Sequence, residues 1–295
     1  VLGTRLRHRF AILGAAVLFS TGGAAIKACA LDGWQVAGAR SLVAALTLVA
    51  LVPGARRLPS PRVLAVAVSY ALTLLLFVLA NKLTTAAAVI FLQSTAPLYV
   101  LALAPRLLRE PVRRRDLGLM GALALGLGLV LSDLQPVAAA TAPAPLRGNL
   151  LAAASGVCWA ATLLGLRWLE REPDGPTGPE GHRAPAGMSA VVAGNVLAFA
   201  ATLPFAFPFA PSARDALVLL YLGSVQIGIA YLVLMYGFRR VPALEASLLV
   251  LLEPALNPLF AWLAHGEVPG ARTLAGGALI VAATAARTLR AARSD

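Results

Sequence analysis

Apolar residues run along the chain in blocks of about 20, the length an α-helix needs to cross a hydrocarbon core about 30 Å thick. Short stretches rich in arginine, proline and glycine separate them. Ten spans are predicted, at residues 10–30, 34–52, 63–81, 85–104, 117–132, 149–168, 189–208, 216–237, 243–263 and 273–289. The expected fold class is an all-α integral membrane protein of ten transmembrane helices. Composition agrees, with 59% hydrophobic and 13% charged residues and a mean hydropathy of +0.80. A soluble domain carries about a quarter charged residues.

The formal charge of +12 points to an anionic partner or to membrane topology, and its distribution decides. With the N-terminus in the cytoplasm, nineteen of the 25 basic residues fall in cytoplasmic tails and loops. The opposite loops keep Lys82, Arg147, Arg214 and Arg272, while Lys27 and Arg40 lie within spans. This positive-inside bias puts both termini in the cytoplasm and removes nucleic acid as a partner. Lys27 and Lys82 are expected to snorkel near outer helix ends. The first span is too long for a signal-peptide core and no cleavage site follows, so it is read as a retained helix. A bacterial inner (plasma) membrane is the expected location, with the chain crossing it many times. Cys29 and Cys158 fall in apolar spans, and no metal or disulfide spacing exists, so no cofactor is expected.

Shifted by 157 residues, the sequence aligns with itself, pairing Ala86 with Ala243, Leu92 with Leu249, Pro97 with Pro254 and Glu110 with Glu267. The first spans of each half align instead at 140, which pairs Phe19 with Trp159 and Lys27 with Arg167. The 17-residue difference matches "EPDGPTGPEGHRAPAGM", residues 172–188, a Pro- and Gly-rich stretch read as a flexible cytoplasmic insertion. Duplication is the reading, with a first five-helix repeat at 1–135, a linker at 136–146 and a second repeat at 147–295. Five spans per half is an odd number, so the repeats are inverted in the membrane. Inverted repeats are characteristic of secondary transporters with a midplane site between the halves. Small-residue stripes, Gly118, Ala122 and Gly126 in one half and Ala278, Ala282 and Ala286 in the other, mark packing helices. They suit a homodimer and internal packing equally.

Polar residues inside spans are the candidates for function. In "LLVLLEPALNPLFAWL", Glu253 precedes Pro254, which lacks an N–H and must bend or open its helix, and Asn257 lies one turn on. Glu253 either faces a ligand or a proton, as the best candidate for coupling, or is a hydrogen-bonded structural element. Arg40, about two turns into its span, either grips a substrate carboxylate through two parallel hydrogen bonds or is held by snorkelling or an ion pair. Gln93, Tyr99, Trp159, Asn195, Gln226 and Tyr231 are mid-span candidates, because aromatic walls with a few polar groups suit an amphiphilic zwitterion. Pro97 and Pro254 are the expected hinges.

"GWQVAGAR", "STAPLYVLALAPRLLREPV" and "LLEPALNPLFAWLAHGEVP", set in ten spans, resemble the EamA-type members of the drug/metabolite transporter superfamily over nearly the whole chain. As in that family, a proline in the fourth and ninth helices is followed by a glutamate near the helix end, here Pro97 with Glu110 and Pro254 with Glu267. Ala96 departs from the pattern by standing where the second half has Glu253. The resemblance implies a small-molecule exporter of amino acids or related metabolites, with the cavity walled by helices one to four and six to nine. The aromatic-amino-acid exporter branch is nearest in character. An exchanger of organic phosphates or nucleotide sugars is the alternative; it would need several deep cations, whereas Arg40 stands alone. The alternative of another class is a membrane-embedded enzyme. It is disfavoured because His8, His182 and His265 lie in tails or loops and no P-loop or HExxH occurs.

Overall fold

A computed structural model of the protein describes residues 4–56, 59–84, 86–109, 114–132, 143–171, 186–265 and 271–292, and among these no strand occurs. The apolar blocks fold as helices because a lipid environment offers backbone groups no partners of its own. In order these are α1 (Thr4–Ser20), α2 (Gly22–Ala28), α3 (Gly33–Leu51), α4 (Pro61–Leu83), α5 (Ala86–Gln93), α6 (Ala96–Leu107) and α7 (Arg114–Ser132). They continue with α8 (Pro145–Arg171), α9 (Ala186–Thr202), α10 (Ala213–Leu220), α11 (Ala230–Phe238), α12 (Ala243–Val250), α13 (Leu252–His265) and α14 (Ala271–Ala292). The stretch Tyr221–Ile229 that joins α10 to α11 is π-helical.

Side chains fix several helix starts. Asp32 accepts from the N–H groups of Trp34 at 2.8 Å and Gln35 at 3.0 Å, and Gln35 returns a bond to the Asp32 N–H, a reciprocal cap on α3. Ser60 caps α4 ahead of Pro61, and Ser212 with Asp215 caps α10. Lys82 donates to the Cys29 carbonyl at 2.9 Å and Lys27 to that of Thr84 at 3.4 Å, so both tie turns together rather than simply snorkelling.

Seven described helices are long and apolar enough to cross a bilayer: Leu6–Ala28, Gly33–Leu51, Pro61–Leu83, Ala88–Leu107, Pro145–Glu170, Ala186–Phe205 and Ala213–Phe238. Leu117–Gly126 and Leu274–Ala283 are shorter apolar helices, and the run from α12 to α13 is interrupted at Leu251 and carries Glu245 and Glu253. The outer surface is oily, with Leu217 at 68% and Leu46 at 61% exposure, as lipid contact requires.

Boundaries differ from expectation where proline acts. α9 ends at Thr202 and gives way to one 3-10 turn, Leu203–Phe205, because Pro204 and Pro208 cannot extend the α-helical ladder. α8 begins at Pro145, a residue suited to a first helical turn, and so takes in residues 145–148 ahead of the expected span. α9 starts at Ala186, which makes the last three residues of the expected insertion helical, with Gly187 and Met188 buried. Residues 172–185, residues 136–142 and both Glu110 and Glu267 lie outside the described residues.

Three expected spans are broken. α1 gives way to α2 at Thr21, whose hydroxyl bonds the Leu18 carbonyl at 2.7 Å. α5 stops at Gln93 and α6 begins at Ala96; α12 stops at Val250 and α13 begins at Leu252. Each break precedes its proline, so Pro97 and Pro254 sit in first turns, where a missing N–H costs no helical bond. α5 and α12 share bounds shifted by 157 residues, as do the starts of α7 and α14. α8, by contrast, runs unbroken where its counterpart breaks at Thr21.

The two halves interleave. α4 packs against α8 and α9, while α1 packs against α11, α12 and α13. α7 and α14 pair with each other at one side, where a Cβ on Gly126 would come within 2.9 Å of the Gly276 carbonyl. The stripes are thereby corrected: Gly118 faces open space, Ala278, Ala282 and Ala286 are exposed, and the buried seam of α14 runs through Gly276 and Ile280. The reason is register, since the 157-residue shift carries Gly126 to Ala283 rather than Ala282.

Candidate functional site

A cavity of about 50 Å³ lies among Phe19 of α1, Arg40 of α3, Thr73, Leu74 and Phe77 of α4, Gln93 of α5, Trp159 of α8, Gln226 and Ile227 of the π-helical stretch, Tyr231 of α11 and Glu253 of α13. Both halves contribute.

Arg40 is 1% exposed, in a helix whose neighbours are apolar. Its Nη2 donates to the Leu74 carbonyl at 3.3 Å, and Nε has no partner. No carboxylate of the described residues forms an ion pair with it. A buried guanidinium with idle donors is a fixed positive charge suited to a planar anion such as carboxylate. Glu253, 9% exposed, likewise has neither a hydrogen-bond donor nor an ion-pair partner among the described residues. The cavity thus presents one cation and one carboxyl group that do not neutralise each other.

Aromatic rings fill the wall between them. Tyr231 packs edge-on to Phe19 at 5.1 Å, to Trp159 at 6.3 Å and to Tyr70 at 4.9 Å, and Phe19 meets Trp159 at 6.2 Å. Edge-to-face geometry of this kind makes a rigid apolar surface. Asn195 lies behind it, donating to the Tyr70 hydroxyl at 3.0 Å and to the Val191 carbonyl at 2.9 Å. It positions Tyr70 and does not line the cavity. Gly194 allows this packing, since a Cβ there would strike the Tyr70 ring and stand 2.7 Å from the Ala67 carbonyl.

A second, smaller cavity, of about 10 Å³, adjoins the first and shares Gln93, Trp159 and Glu253 with it. It is lined further by Ser94, Ala96, Pro97, Leu163, Ser247, Val250, Leu251 and Pro254, so both helix breaks open onto it. Residues 93, 94, 96 and 97 and their counterparts 157 positions on, 250, 251, 253 and 254, all take part.

Of the residues singled out from the sequence, Arg40, Gln93, Trp159, Gln226, Tyr231 and Glu253 meet at the first cavity, and Pro97 and Pro254 at the second. Tyr99 does not reach either one. The break at Ser94–Thr95 sets the register of α6 so that Pro97 and Val100 face inward and Tyr99, 38% exposed, faces out. Asn257 is buried against α2, where a Cβ on Gly23 would lie 3.3 Å from its Nδ2, and lines neither cavity. Phe19, Thr73, Phe77 and Tyr70 were not singled out. Phe19 carried a signal, its pairing with Trp159 at the 140-residue shift; Thr73 stood out only as a hydroxyl within "YALTLLLF". Among the described residues, no group of three His, Cys, Asp or Glu side chains is placed to hold a metal ion.

The comparisons with known proteins bear on this arrangement. A solved crystal structure is 21% identical and covers 98% of this chain and 98% of its own, with a TM-score of 0.75; the likeness at that identity is one of fold. No curated protein matches the sequence. The EamA-like transporter family matches twice, at residues 8–132 and 146–287, one match to each side of the internal duplication. Two copies of one unit, with a largely apolar cavity carrying a few polar groups between them and an oily exterior, suit a small-molecule carrier, and the chain belongs to the EamA-like transporter family of membrane transporters, within the drug/metabolite transporter superfamily.

Proposed function

We propose that the protein exports amino acids, aromatic and other apolar ones foremost, across a bacterial inner membrane by alternating access. The observation that carries this reading is the placing of Arg40 and Glu253, both buried and without an ion-pair partner among the described residues, across an aromatic wall. A zwitterion supplies the complement: its carboxylate to Arg40, its ammonium to Glu253, its apolar side chain to Phe19, Trp159 and Tyr231. The ten-span reading supports the cycle, with α1–α2, α3, α4, α5–α6 and α7 as one repeat and α8, α9, α10–α11, α12–α13 and α14 as its inverted counterpart. Both termini are cytoplasmic in this arrangement. The paired breaks ahead of Pro97 and Pro254 are the joints at which the halves rock, and the two end states differ by a few kcal/mol.

An organic-phosphate exchanger would need several cations in the cavity to hold a phosphoryl group; among the described residues Arg40 is the one arginine or lysine lining it. The test is counterflow in liposomes. Labelled phenylalanine should enter saturably, and faster when the vesicles are preloaded with unlabelled aromatic amino acids. Acceleration by preloaded sugar phosphates, with none by amino acids, would overturn the reading.

A further inference from the structure

The smaller cavity offers oxygen acceptors and almost no donors. Ser94 and Ser247 spend their hydroxyl protons on the carbonyls of Ile90 at 2.6 Å and Leu244 at 2.8 Å, so each has lone pairs left to offer. Gln93 gives its Nε2 to the Ser155 hydroxyl at 2.8 Å, which leaves Oε1 as an acceptor. Two backbone carbonyls join them. In an unbroken helix the carbonyls of Gln93 and Val250 would be bonded by the N–H groups four residues on, but those residues are Pro97 and Pro254, which have none. To this set Glu253 adds a buried carboxylate that meets no donor among the described residues.

Hydroxyl, carbonyl and carboxylate oxygens without nitrogen or sulfur are the ligands of hard cations, and a single carboxylate balances a single charge. The geometry points to a sodium-ion site at the junction of the two broken helices, with Glu253 supplying the charge, Ser94 and Ser247 the hydroxyl oxygens, and Gln93 and Val250 the backbone carbonyls. The prolines acquire a second role, since each exposes a ligand as well as forming a joint.

Glu253 also lines the larger cavity, so sodium and a substrate ammonium group compete for one carboxylate. This step rests on the amino-acid reading. Competition of this kind enforces exchange: each zwitterion that leaves Glu253 on one side is replaced by a sodium ion travelling the other way, and each cycle moves one positive charge inward.

The ion site is tested first without any amino acid, by saturation binding of ²²Na⁺ to the purified full chain in detergent at fixed pH. We expect about one site per chain, displaced by unlabelled Na⁺ and indifferent to choline. Ser94→Ala and Ser247→Ala should each weaken binding about tenfold, and Glu253→Gln should abolish it. Absence of saturable binding to the unmodified protein overturns the site whatever the substrate proves to be. So does binding that is unchanged in both Ser247→Ala and Glu253→Gln. Phenylalanine that displaces the bound ion supports exchange; phenylalanine that is itself taken up yet leaves the ion in place overturns the exchange step and spares the site.

Discussion

A charge in an apolar run announces itself, and Arg40 and Glu253 were legible in the sequence for that reason. What the sequence withheld is that neither has an ion-pair partner among the described residues and that both open onto one cavity, because that depends on how α3 and α13 are rotated against the other helices. The aromatic wall was half legible: Trp159 and Tyr231 stood out, whereas Phe19 and Phe77 look like any other apolar residue in a span. Tyr99 looked equivalent to these and is not, since a helix break a few residues upstream sets its direction. At this scale the account predicts that Arg40→Lys raises KM for phenylalanine about tenfold or more while the protein still inserts, because an ammonium cannot make two parallel bonds to a carboxylate. Uptake kinetics on matched amounts of reconstituted protein decide it. Asn195→Leu should act indirectly, removing one hydrogen bond of the Tyr70 hydroxyl and lowering stability by about 0.5–1.5 kcal/mol. Denaturation in detergent measures that loss.

The helices themselves were legible from apolar block length, and the 157-residue shift carries the ends of α5 onto those of α12. Their interruptions were legible only in part. Pro97 and Pro254 gave the neighbourhood of two breaks, but the first turn of a new helix accommodates proline better than a bend does, so each break moved upstream. Thr21 gave no such warning, and neither did the π-helical stretch in α10–α11, whose sequence is as apolar as any other span. Pro254→Ala restores the N–H that α12 and α13 need to fuse, and turnover should fall several-fold with substrate affinity little changed; unaltered turnover would show that the break is not a joint. Gly156→Leu tests the contact between α8 and the end of α5. A Cβ there would stand 2.8 Å from the Leu92 carbonyl and 3.2 Å from the Gln93 Cα, so overpacking of about 1–3 kcal/mol should displace Gln93 from the cavity and impair uptake.

Across the whole molecule the halves hold each other as well as the substrate. α1 meets α12 through a buried ion pair, Arg9 Nε to Glu245 Oε1 at 2.7 Å, beside the stacked rings of His8 and Tyr236 at 4.4 Å. The partners are 236 residues apart, which no reading of local pattern connects. In the topology proposed above this contact closes the cytoplasmic end. Glu245→Gln should cost about 3–5 kcal/mol, the loss typical of breaking a buried pair from one side, read as a lower unfolding temperature in detergent. The duplication, visible in sequence as two shifts of 157 and 140, explains why one cavity draws its walls from both halves.

The account turns on recognition of the substrate carboxylate by Arg40, and uptake of three labelled compounds into liposomes tests that most directly: phenylalanine, its amide, and the amine that lacks the carboxylate. Phenylalanine alone should enter saturably, with the amide and the amine each reduced at least about tenfold, since each leaves Arg40 without its anion. Equal uptake of the amine and the amino acid would contradict the account, because it would mean that Arg40 takes no part in holding what the protein carries.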